Sequence, residues 1–228
     1  MLDRSTIVFD LDGTLVDTAP DLTNALNGVL TRRGHAPVSA ETMRFCVGHG
    51  ARVMIEEALR RIGADGDVER MLAEFLAHYE ANIAAESRPY PGVVAALEAL
   101  AETGATLAVC TNKRERLSRL LLQELDLMRF FTGLAGRDTF PFSKPNPAHL
   151  FGAIELAGGP RTAIMVGDSE VDYLTAKAAH IPIVMVRFGY GPLPNDGAGP
   201  DALVDHFDDL LPHLHALARR LLAPSSPS

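Results

Sequence analysis

The sequence predicts a doubly wound, Rossmann-like α/β fold with an inserted helical segment. From residue 93 onward, short apolar or β-branched runs alternate with stretches whose apolar residues recur at helical spacing. This pattern is typical of a parallel sheet covered by helices on both faces. Before residue 86, one predicted strand precedes a long stretch that has only helical periodicity. The core therefore begins near residue 1, is interrupted after its first strand and resumes later.

A proline-rich segment sets the predicted domain boundary. Pro89-Tyr90-Pro91-Gly92 indicates a stiff hinge between the helical stretch and the alternating one. We assign residues 1–16 and 86–228 to the α/β core domain and residues 17–85 to a helical cap domain.

The first predicted strand covers Thr6–Phe9 and is followed by Asp10, Asp12 and Gly13. Asp-Gly between two apolar runs is also a strong hairpin signal, so these residues by themselves leave a plain turn and an acidic site open. We expect Thr18 to cap the helix that follows. The apolar stripes of the helical stretch indicate a packed bundle, to which we assign no ligand, with helices at about 18–34, 39–47, 51–62 and 67–83.

The second half of the chain supplies the remaining elements of the predicted core. Gly104 and Gly158-Gly159 end two of its helical patterns. Strands are predicted at 106–110, near 134 and at 163–166, 183–186 and 202–204. Helices are predicted at 93–103, 114–124, 146–158 and 169–179 and from 210 onward.

Composition and net charge argue against some classes of binding partner. The 228 residues are 47% apolar and 22% charged, as in an ordinary globular enzyme, and the net charge of -8 argues against nucleic acid or an anionic membrane as the main partner. No apolar run reaches the length that spans a membrane. The two cysteines suggest no disulfide framework. We expect a cytoplasmic protein, monomeric or homodimeric.

Polar residues follow three of the predicted strands, at the edge where ligands bind in such sheets. Asp10 and Asp12 follow the first strand. Thr111 and Asn112 follow the strand that ends at Cys110, where either of them would also serve as a plain helix cap.

The strand predicted at 163–166 is followed by Gly167-Asp168-Ser169, with Asp172 one turn later. Ser169 and Asp172 have the spacing of a capping box, which leaves Asp168 unexplained. Lys144 lies between two of these strands in a loop that Pro145 and Pro147 hold. A loop lysine is usually a solvated charge, but one with a fixed backbone suits an anionic partner.

Three converging carboxylates repel one another unless a cation lies among them. Oxygen ligands that leave room for water and phosphate suit Mg²⁺ better than Ca²⁺ or Zn²⁺. We therefore expect a site for a dianionic phosphate that is neutralised by Mg²⁺ and Lys144. Phosphoryl transfer is the matching class of reaction.

These segments resemble the four motifs of the haloacid dehalogenase (HAD) superfamily, of the type with an α-helical cap. The matching segments are, in order, Phe9-Asp10-Leu11-Asp12-Gly13-Thr14, Thr111-Asn112, Lys144-Pro145 and Gly167-Asp168-Ser169-Glu170-Val171-Asp172. Within the superfamily the chain most resembles the phosphoglycolate phosphatases, through Thr14-Leu15-Val16-Asp17-Thr18, Val47-Gly48-His49-Gly50-Ala51, Tyr90-Pro91-Gly92-Val93 and Lys144-Pro145-Asn146-Pro147.

The resemblance implies a nucleophile, a proton donor and a metal. Asp10 would attack phosphorus and form an aspartyl-phosphate. Asp12 would protonate the leaving oxygen and then take a proton from water. Dehalogenases lack this second acid, so its presence favours phosphate chemistry. Mg²⁺ would bind a carboxylate oxygen of Asp10, the backbone carbonyl of Asp12 and Asp168.

The resemblance also implies a phosphate site. Thr111, Asn112 and the catalytic Lys144 would hold the phosphoryl oxygens as charge develops. Ser169 and Asp172 would support this group, with Asp172 orienting Lys144 or a metal-bound water.

The expected activity is Mg²⁺-dependent hydrolysis of a small phosphorylated metabolite, and 2-phosphoglycolate is the leading candidate substrate. The cap would close over the site with the loop that carries His49 and Arg52, and Arg52 is a candidate partner for a substrate carboxylate. A solvated arginine explains Arg52 equally well. Alternatives are a β-phosphoglucomutase-like phosphosugar mutase, a phosphosugar or pyrophosphate hydrolase, and, in another class, a non-catalytic interaction protein.

Overall fold

A computed structural model describes residues 2–194 and 197–223. Met1 and residues 224–228 of the predicted core domain lie outside the described residues. A six-stranded, all-parallel sheet forms the centre of the fold. Its strands are β1 (Thr6–Phe9), β4 (Thr106–Cys110), β5 (Gly133–Ala135), β6 (Ala163–Gly167), β7 (Ile183–Val186) and β8 (Ala202–Val204). Their order across the sheet is β5-β4-β1-β6-β7-β8. The predicted fold class is confirmed.

Helices cover both faces of this sheet, because the strand residues alternate between two apolar layers. Val8 of β1 packs in the layer that contains α7 and α8, whereas Ile7 and Phe9 pack in the layer that contains α5, α6 and α9. The helices of the core are α5 (Val93–Glu102), α6 (Glu115–Glu124), α7 (Pro147–Ala157), α8 (Glu170–Ala179) and α9 (Leu210–Leu222).

The helical segment leaves and re-enters the core through a short antiparallel pair of strands. Residues Val16–Asp17 (β2) pair with Arg88–Pro89 (β3). Between them lie α1 (Ala19–Thr31), α2 (Ala40–Met43), α3 (Ala51–Ile62) and α4 (Val68–Ala81). The division into a core of 1–16 and 86–228 and a cap of 17–85 stays a prediction.

The turn after β1 is present as well as the acidic site. Gly13 has a φ of 87°, which favours glycine, and its N–H donates to the carbonyl of Val16 at 2.9 Å. A hairpin-like turn and functional acids therefore occupy the same few residues.

One local prediction differs from the structure in the type of helix, and another was wrong. The helix predicted over 39–47 is an α-helix only over Ala40–Met43 and continues as a 3₁₀-helix over Arg44–His49. The tighter winding ends at Gly50, whose φ of 93° lies outside the helical range. Thr18 precedes α1, but its side chain does not cap it and instead donates to Asp12. Across the described residues no helix has the length and apolar character to span a membrane.

Candidate active site

The sheet order brings the predicted site residues together. Strands β4, β1 and β6 are neighbours, so the residues after their carboxyl ends meet at one edge. Asp10, Asp168 and Asp172 are buried, and one carboxylate oxygen from each lies within 4.8 Å of those of the other two. Three acids this close in a buried place form the kind of group that a hard divalent cation neutralises.

Lys144 lies among these acids. Its Nζ donates to Asp172 Oδ1 at 2.6 Å. The same Nζ lies 2.7 Å from Asp10 Oδ1 but outside the geometry of a regular hydrogen bond, so that contact is an ion pair. The lysine that the two prolines hold is therefore not a solvated charge, because its side chain is only 2% exposed.

The electrostatics of this group follow from burial. Burial raises the pKa of Asp10, an effect that Lys144 opposes and that Asp172 and Asp168 reinforce. Burial also raises the pKa of Asp168, with Asp172 adding to it. For Lys144, burial acts to lower the pKa, but Asp10 and Asp172 raise it above the ordinary value. In the protein chain alone the acids are thus only partly neutralised, which suits an additional cation.

Asp172 performs two of the predicted tasks at once. Its Oδ2 accepts the N–H and the hydroxyl of Ser169 at 3.1 and 2.6 Å, which completes the capping box of α8. Its Oδ1 accepts from Lys144. Asp172 therefore caps α8 and contacts Lys144 at the same time, because its two oxygens serve different partners.

Asp168 is held by groups on either side. Its Oδ1 accepts from the hydroxyl of Thr14 at 2.9 Å, and its Oδ2 accepts from the backbone N–H of Tyr190 at 2.7 Å. A Cβ atom at Gly13 would lie 2.5 Å from Asp168 Oδ2, and one at Gly189 would lie 2.1 Å from Asp168 Cβ. Glycine is therefore required at both positions for the carboxylate to fit.

Asp12 is paired with a lysine that the sequence did not suggest. Lys113 Nζ donates to the two carboxylate oxygens of Asp12 at 2.9 and 3.1 Å. Thr18 Oγ1 donates to Asp12 Oδ1 at 2.8 Å. Although burial acts to lower the pKa of Lys113, Asp12 and Tyr79 raise it above the ordinary value. The acid proposed for proton transfer is therefore held by two donors at a defined place.

Thr111 and Asn112 lie at this edge and do not cap the next helix, whose N-cap residue is Arg114. The hydroxyl of Thr111 accepts the N–H of Lys113 at 3.1 Å. Asn112 Nδ2 donates to the carbonyls of Gly48 and Lys144 at 3.3 and 3.2 Å. Thr111 thus contacts the backbone of Lys113, and Asn112 joins the helical segment to the Lys144 loop.

A cavity of about 270 Å³ opens beside Asp12 between the core and the helical segment that contains α1 to α4, which is called the cap segment below. His49 and Arg52 line this cavity. Arg52, however, is 43% exposed and its Nη2 lies 2.5 Å from Glu69 Oε1. Its charge is therefore already engaged outside the cavity.

A larger cavity of about 850 Å³ lies on the outer side of α1 and α4, away from the strand ends. Arg33 forms two hydrogen bonds of 2.8 Å with Glu74 on its wall. Its lining is that of a surface ion-pair network, and none of the residues assigned to the chemistry contributes to it. The smaller cavity is the one that belongs to the site.

Comparisons with known proteins agree with this geometry. The sequence profile of haloacid dehalogenase-like hydrolases matches residues 7–186, which include all four motifs. The chain belongs to the haloacid dehalogenase-like hydrolase family. It is 46% identical to a phosphoglycolate phosphatase of Agrobacterium fabrum, with 91% of each chain covered. It is 48% identical to a phosphoglycolate phosphatase of Mesorhizobium japonicum, covering 97% of this chain and 98% of that one.

A solved structure shows the same fold in this hydrolase family. The crystal structure of a predicted phosphoglycolate phosphatase from Haemophilus somnus superposes with a TM-score of 0.84 at 30% identity, covering 92% of this chain and 97% of that one. The doubly wound core with inserted helices is therefore shared.

Two residues of this hydrolase's site were missed by the sequence reasoning. Lys113 was overlooked, although it directly follows Thr111-Asn112, and Thr18 was assigned to a cap. The loop of residues 187–191 follows a strand end, so that both an approach to the site and a plain turn were open from the sequence. Its Tyr190 contacts Asp168 through its backbone N–H.

Proposed function

We propose that this hydrolase is a Mg²⁺-dependent phosphatase of small phosphate monoesters and that its substrate is 2-phosphoglycolate. The buried cluster of Asp10, Asp168 and Asp172 around Lys144 carries the proposal for the reaction. Asp12, two residues after Asp10, supplies a further acid that pairs with Lys113. The phosphoglycolate phosphatases that are 46% and 48% identical over nearly the whole chain support the substrate.

Asp10 is the nucleophile in this proposal. A carboxylate oxygen of Asp10 attacks phosphorus, the bond from phosphorus to the ester oxygen breaks, and an aspartyl-phosphate forms. Asp12 gives its proton to the departing oxygen. Water then attacks phosphorus while Asp12 takes a proton from it, and the bond from phosphorus to Asp10 breaks. Both side chains are returned to their starting states.

The metal would be held by Asp10 and Asp168 through carboxylate oxygens and by Asp12 through its backbone carbonyl. Asp172 lies close enough to be considered as a ligand, but Lys144 and Ser169 already occupy its two oxygens. We therefore assign Asp172 to the orientation of Lys144. Bound Mg²⁺ would supply positive charge next to the phosphoryl group.

The phosphoryl oxygens would be held by Thr111, by the N–H of Asn112 and by Lys144. These groups lie on the core, whereas His49 and Arg52 lie on the cap segment, which we propose closes over the substrate and limits the access of water. The cavity of about 270 Å³ favours a small substrate. We also propose a cytoplasmic enzyme, supported by two buried, unpaired cysteines.

The proposal is tested by a screen of phosphorylated metabolites with Mg²⁺ and with EDTA. We expect 2-phosphoglycolate to be hydrolysed fastest, and EDTA to abolish turnover. Asp10→Asn is expected to remove activity by more than about 10³-fold, because an amide cannot form the acyl-phosphate. Its circular dichroism should match that of the wild type. Near-normal hydrolysis by this folded variant would contradict the mechanism.

The same screen separates the alternatives. A phosphosugar mutase would have to keep its aspartyl-phosphate from water until it reached a sugar, so its phosphoenzyme would be long-lived without a sugar acceptor. We expect instead rapid release of inorganic phosphate. A folded wild type that hydrolyses no ester, including an aryl phosphate, would favour a non-catalytic interaction protein.

A further inference from the structure

Lys113 is the buried cation on the leaving-group side of the site. The sequence contains three lysines, and two of them, Lys113 and Lys144, lie among the site acids. Lys113 is 8% exposed, and its Nζ contacts both oxygens of Asp12. On another side, the centroid of the Tyr79 ring, from α4, lies 4.4 Å from this Nζ. The ammonium is thus enclosed by the core and the cap segment together.

Lys113 retains capacity for a ligand. An ammonium has three N–H donors, and the two oxygens of Asp12 leave at least one of them available. The aromatic face attracts the charge without accepting a full hydrogen bond. Lys113 also lines the cavity of about 270 Å³, so an anion bound in that cavity would lie next to this residue.

The other charged residues of the cavity do not provide an equivalent cation. Arg114 and Arg137 line the cavity but are exposed, so their charges are screened by solvent. Arg52 is engaged by Glu69. The walls contributed by the cap segment include the apolar side chains of Val47, Met54, Leu72, Phe75 and Leu76. An anionic group inside this cavity would therefore be paired with Lys113.

We propose that Lys113 binds the carboxylate of the leaving group and so selects phosphate esters of 2-hydroxy acids. This inference rests on the proposed function, which places the ester oxygen of the substrate at Asp12. In 2-phosphoglycolate one methylene separates that oxygen from the carboxylate. A cation in contact with Asp12 is therefore positioned beside the carboxylate as well. Lys113 takes over the role that the sequence suggested for Arg52.

The test compares two esters that differ only in the charged group. Ethyl phosphate has a methyl group where 2-phosphoglycolate has its carboxylate, and both are cleaved at the same bond. We expect the wild type to prefer 2-phosphoglycolate in kcat/KM. In Lys113→Met, the ratio of the two kcat/KM values should fall by roughly ten- to hundredfold, as expected for the loss of a hydrogen bond between charged groups. The change should appear mainly in KM for 2-phosphoglycolate.

The ratio separates recognition from a structural effect. Disturbing Asp12 slows both esters alike and leaves the ratio unchanged, so an unchanged ratio in Lys113→Met would overturn the proposal. Lys177→Met removes the third lysine, which lies on α8 outside the site, and should leave the ratio as in the wild type. Arg114→Met removes an exposed cation from the same cavity and should change the ratio by less than about fivefold.

The wild type alone also tests the proposal if Lys113→Met does not fold. Equal kcat/KM values for ethyl phosphate and 2-phosphoglycolate would overturn the assignment of a carboxylate site while leaving the proposed phosphatase reaction intact. Hydrolysis of neither ester would instead contradict the proposed function and, with it, this inference.

Discussion

The two buried lysines divide the site into sides that are built differently. On the phosphate side, Lys144 lies between Asp10 and Asp172, and the side chains of all three come from the core. On the leaving-group side, Lys113 pairs with Asp12 but is covered by Tyr79 from the cap segment.

Under the proposed function, the two sides of the site have separate tasks. A phosphoryl group is the same in every phosphate ester, and the charged side chains of the phosphate side all come from the core. Leaving groups differ between substrates, and the leaving-group side includes a residue from the inserted helices. Specificity for the leaving group can therefore change with the helical segment while the core chemistry stays the same.

The largest expected effect comes from replacing Lys144 on the phosphate side. Lys144→Met leaves Asp10 and Asp172 without their shared cation in a buried place. We expect activity to fall by at least about 10²–10³-fold, as for the loss of a charge-stabilising donor. In EDTA at pH 8, the free energy of unfolding should fall by roughly 3–5 kcal/mol, because buried charges are left unpaired. Urea unfolding with and without EDTA measures the second effect.

Mg²⁺ provides the control for that prediction. If the metal is bound among these acids, saturating Mg²⁺ should restore part of the lost stability in Lys144→Met, since it binds the folded state alone. Lys177→Met should match the wild type in activity. Unchanged stability of folded Lys144→Met in EDTA would show that its ion pairs do not hold the phosphate side together.

A second prediction concerns the pH dependence of stability that arises from the acids of the phosphate side. Burial raises the pKa of Asp10 to about 8 and that of Asp168 to about 7. Carboxyl groups whose folded pKa exceeds the unfolded value stabilise the protein at low pH, and this contribution is lost as the pH rises through the folded values. Burial lowers the pKa of His149 to about 4. This shift makes the protein more stable as the pH rises, but only below the ordinary histidine pKa of 6.5.

The metal-free protein should therefore lose stability between pH 6.5 and about 8. We expect a loss of about 2 kcal/mol, since each proton released contributes about 1.36 kcal/mol per pH unit. Urea unfolding in EDTA across this interval measures it. With saturating Mg²⁺ the loss should be reduced, because the metal favours the ionised acids. Constant or rising stability in EDTA would contradict the raised pKa values.

Much of the fold could be predicted because its signals are local. The strand predicted at 106–110 is observed at those residues, and the one predicted at 163–166 is one residue longer. Buried parallel strands are recognisable as short apolar runs. That Asp10 and Asp168 lie close together followed from the rule that polar residues at neighbouring strand ends meet, whereas the third acid of the observed cluster is Asp172 and not Asp12.

The remaining features depend on contacts between distant residues. Lys113 is 101 positions from its partner Asp12, and the local sequence gives no reason to bury a lysine there. The hydroxyl of Thr18 was expected to cap α1 but donates to Asp12 instead. Local patterns describe which groups are available, whereas the fold decides which partner each group receives.

Tyr190 contacts both sides of the site. Removing its hydroxyl is expected to have the smallest effect of the changes considered. Its backbone N–H donates to Asp168, while its hydroxyl accepts the N–H groups of Thr18 and Ala19 at 2.6 and 2.9 Å and donates to Asp17 at 2.6 Å. The hydroxyl thus performs the capping of α1 that the side chain of Thr18 does not.

Tyr190→Phe removes this cap but keeps the ring and the backbone N–H on Asp168. We expect a loss of about 1 kcal/mol of stability, as for other N-caps, and a lower kcat with an unchanged Mg²⁺ requirement. The effect on kcat should arise because Thr18, next to the cap, positions Asp12. Asp17→Asn keeps the shape of the partner and should give a smaller loss. If Tyr190→Phe instead weakened Mg²⁺ binding and left kcat at saturating Mg²⁺ unchanged, the hydroxyl would serve the phosphate side, and the separation of the two sides would not hold.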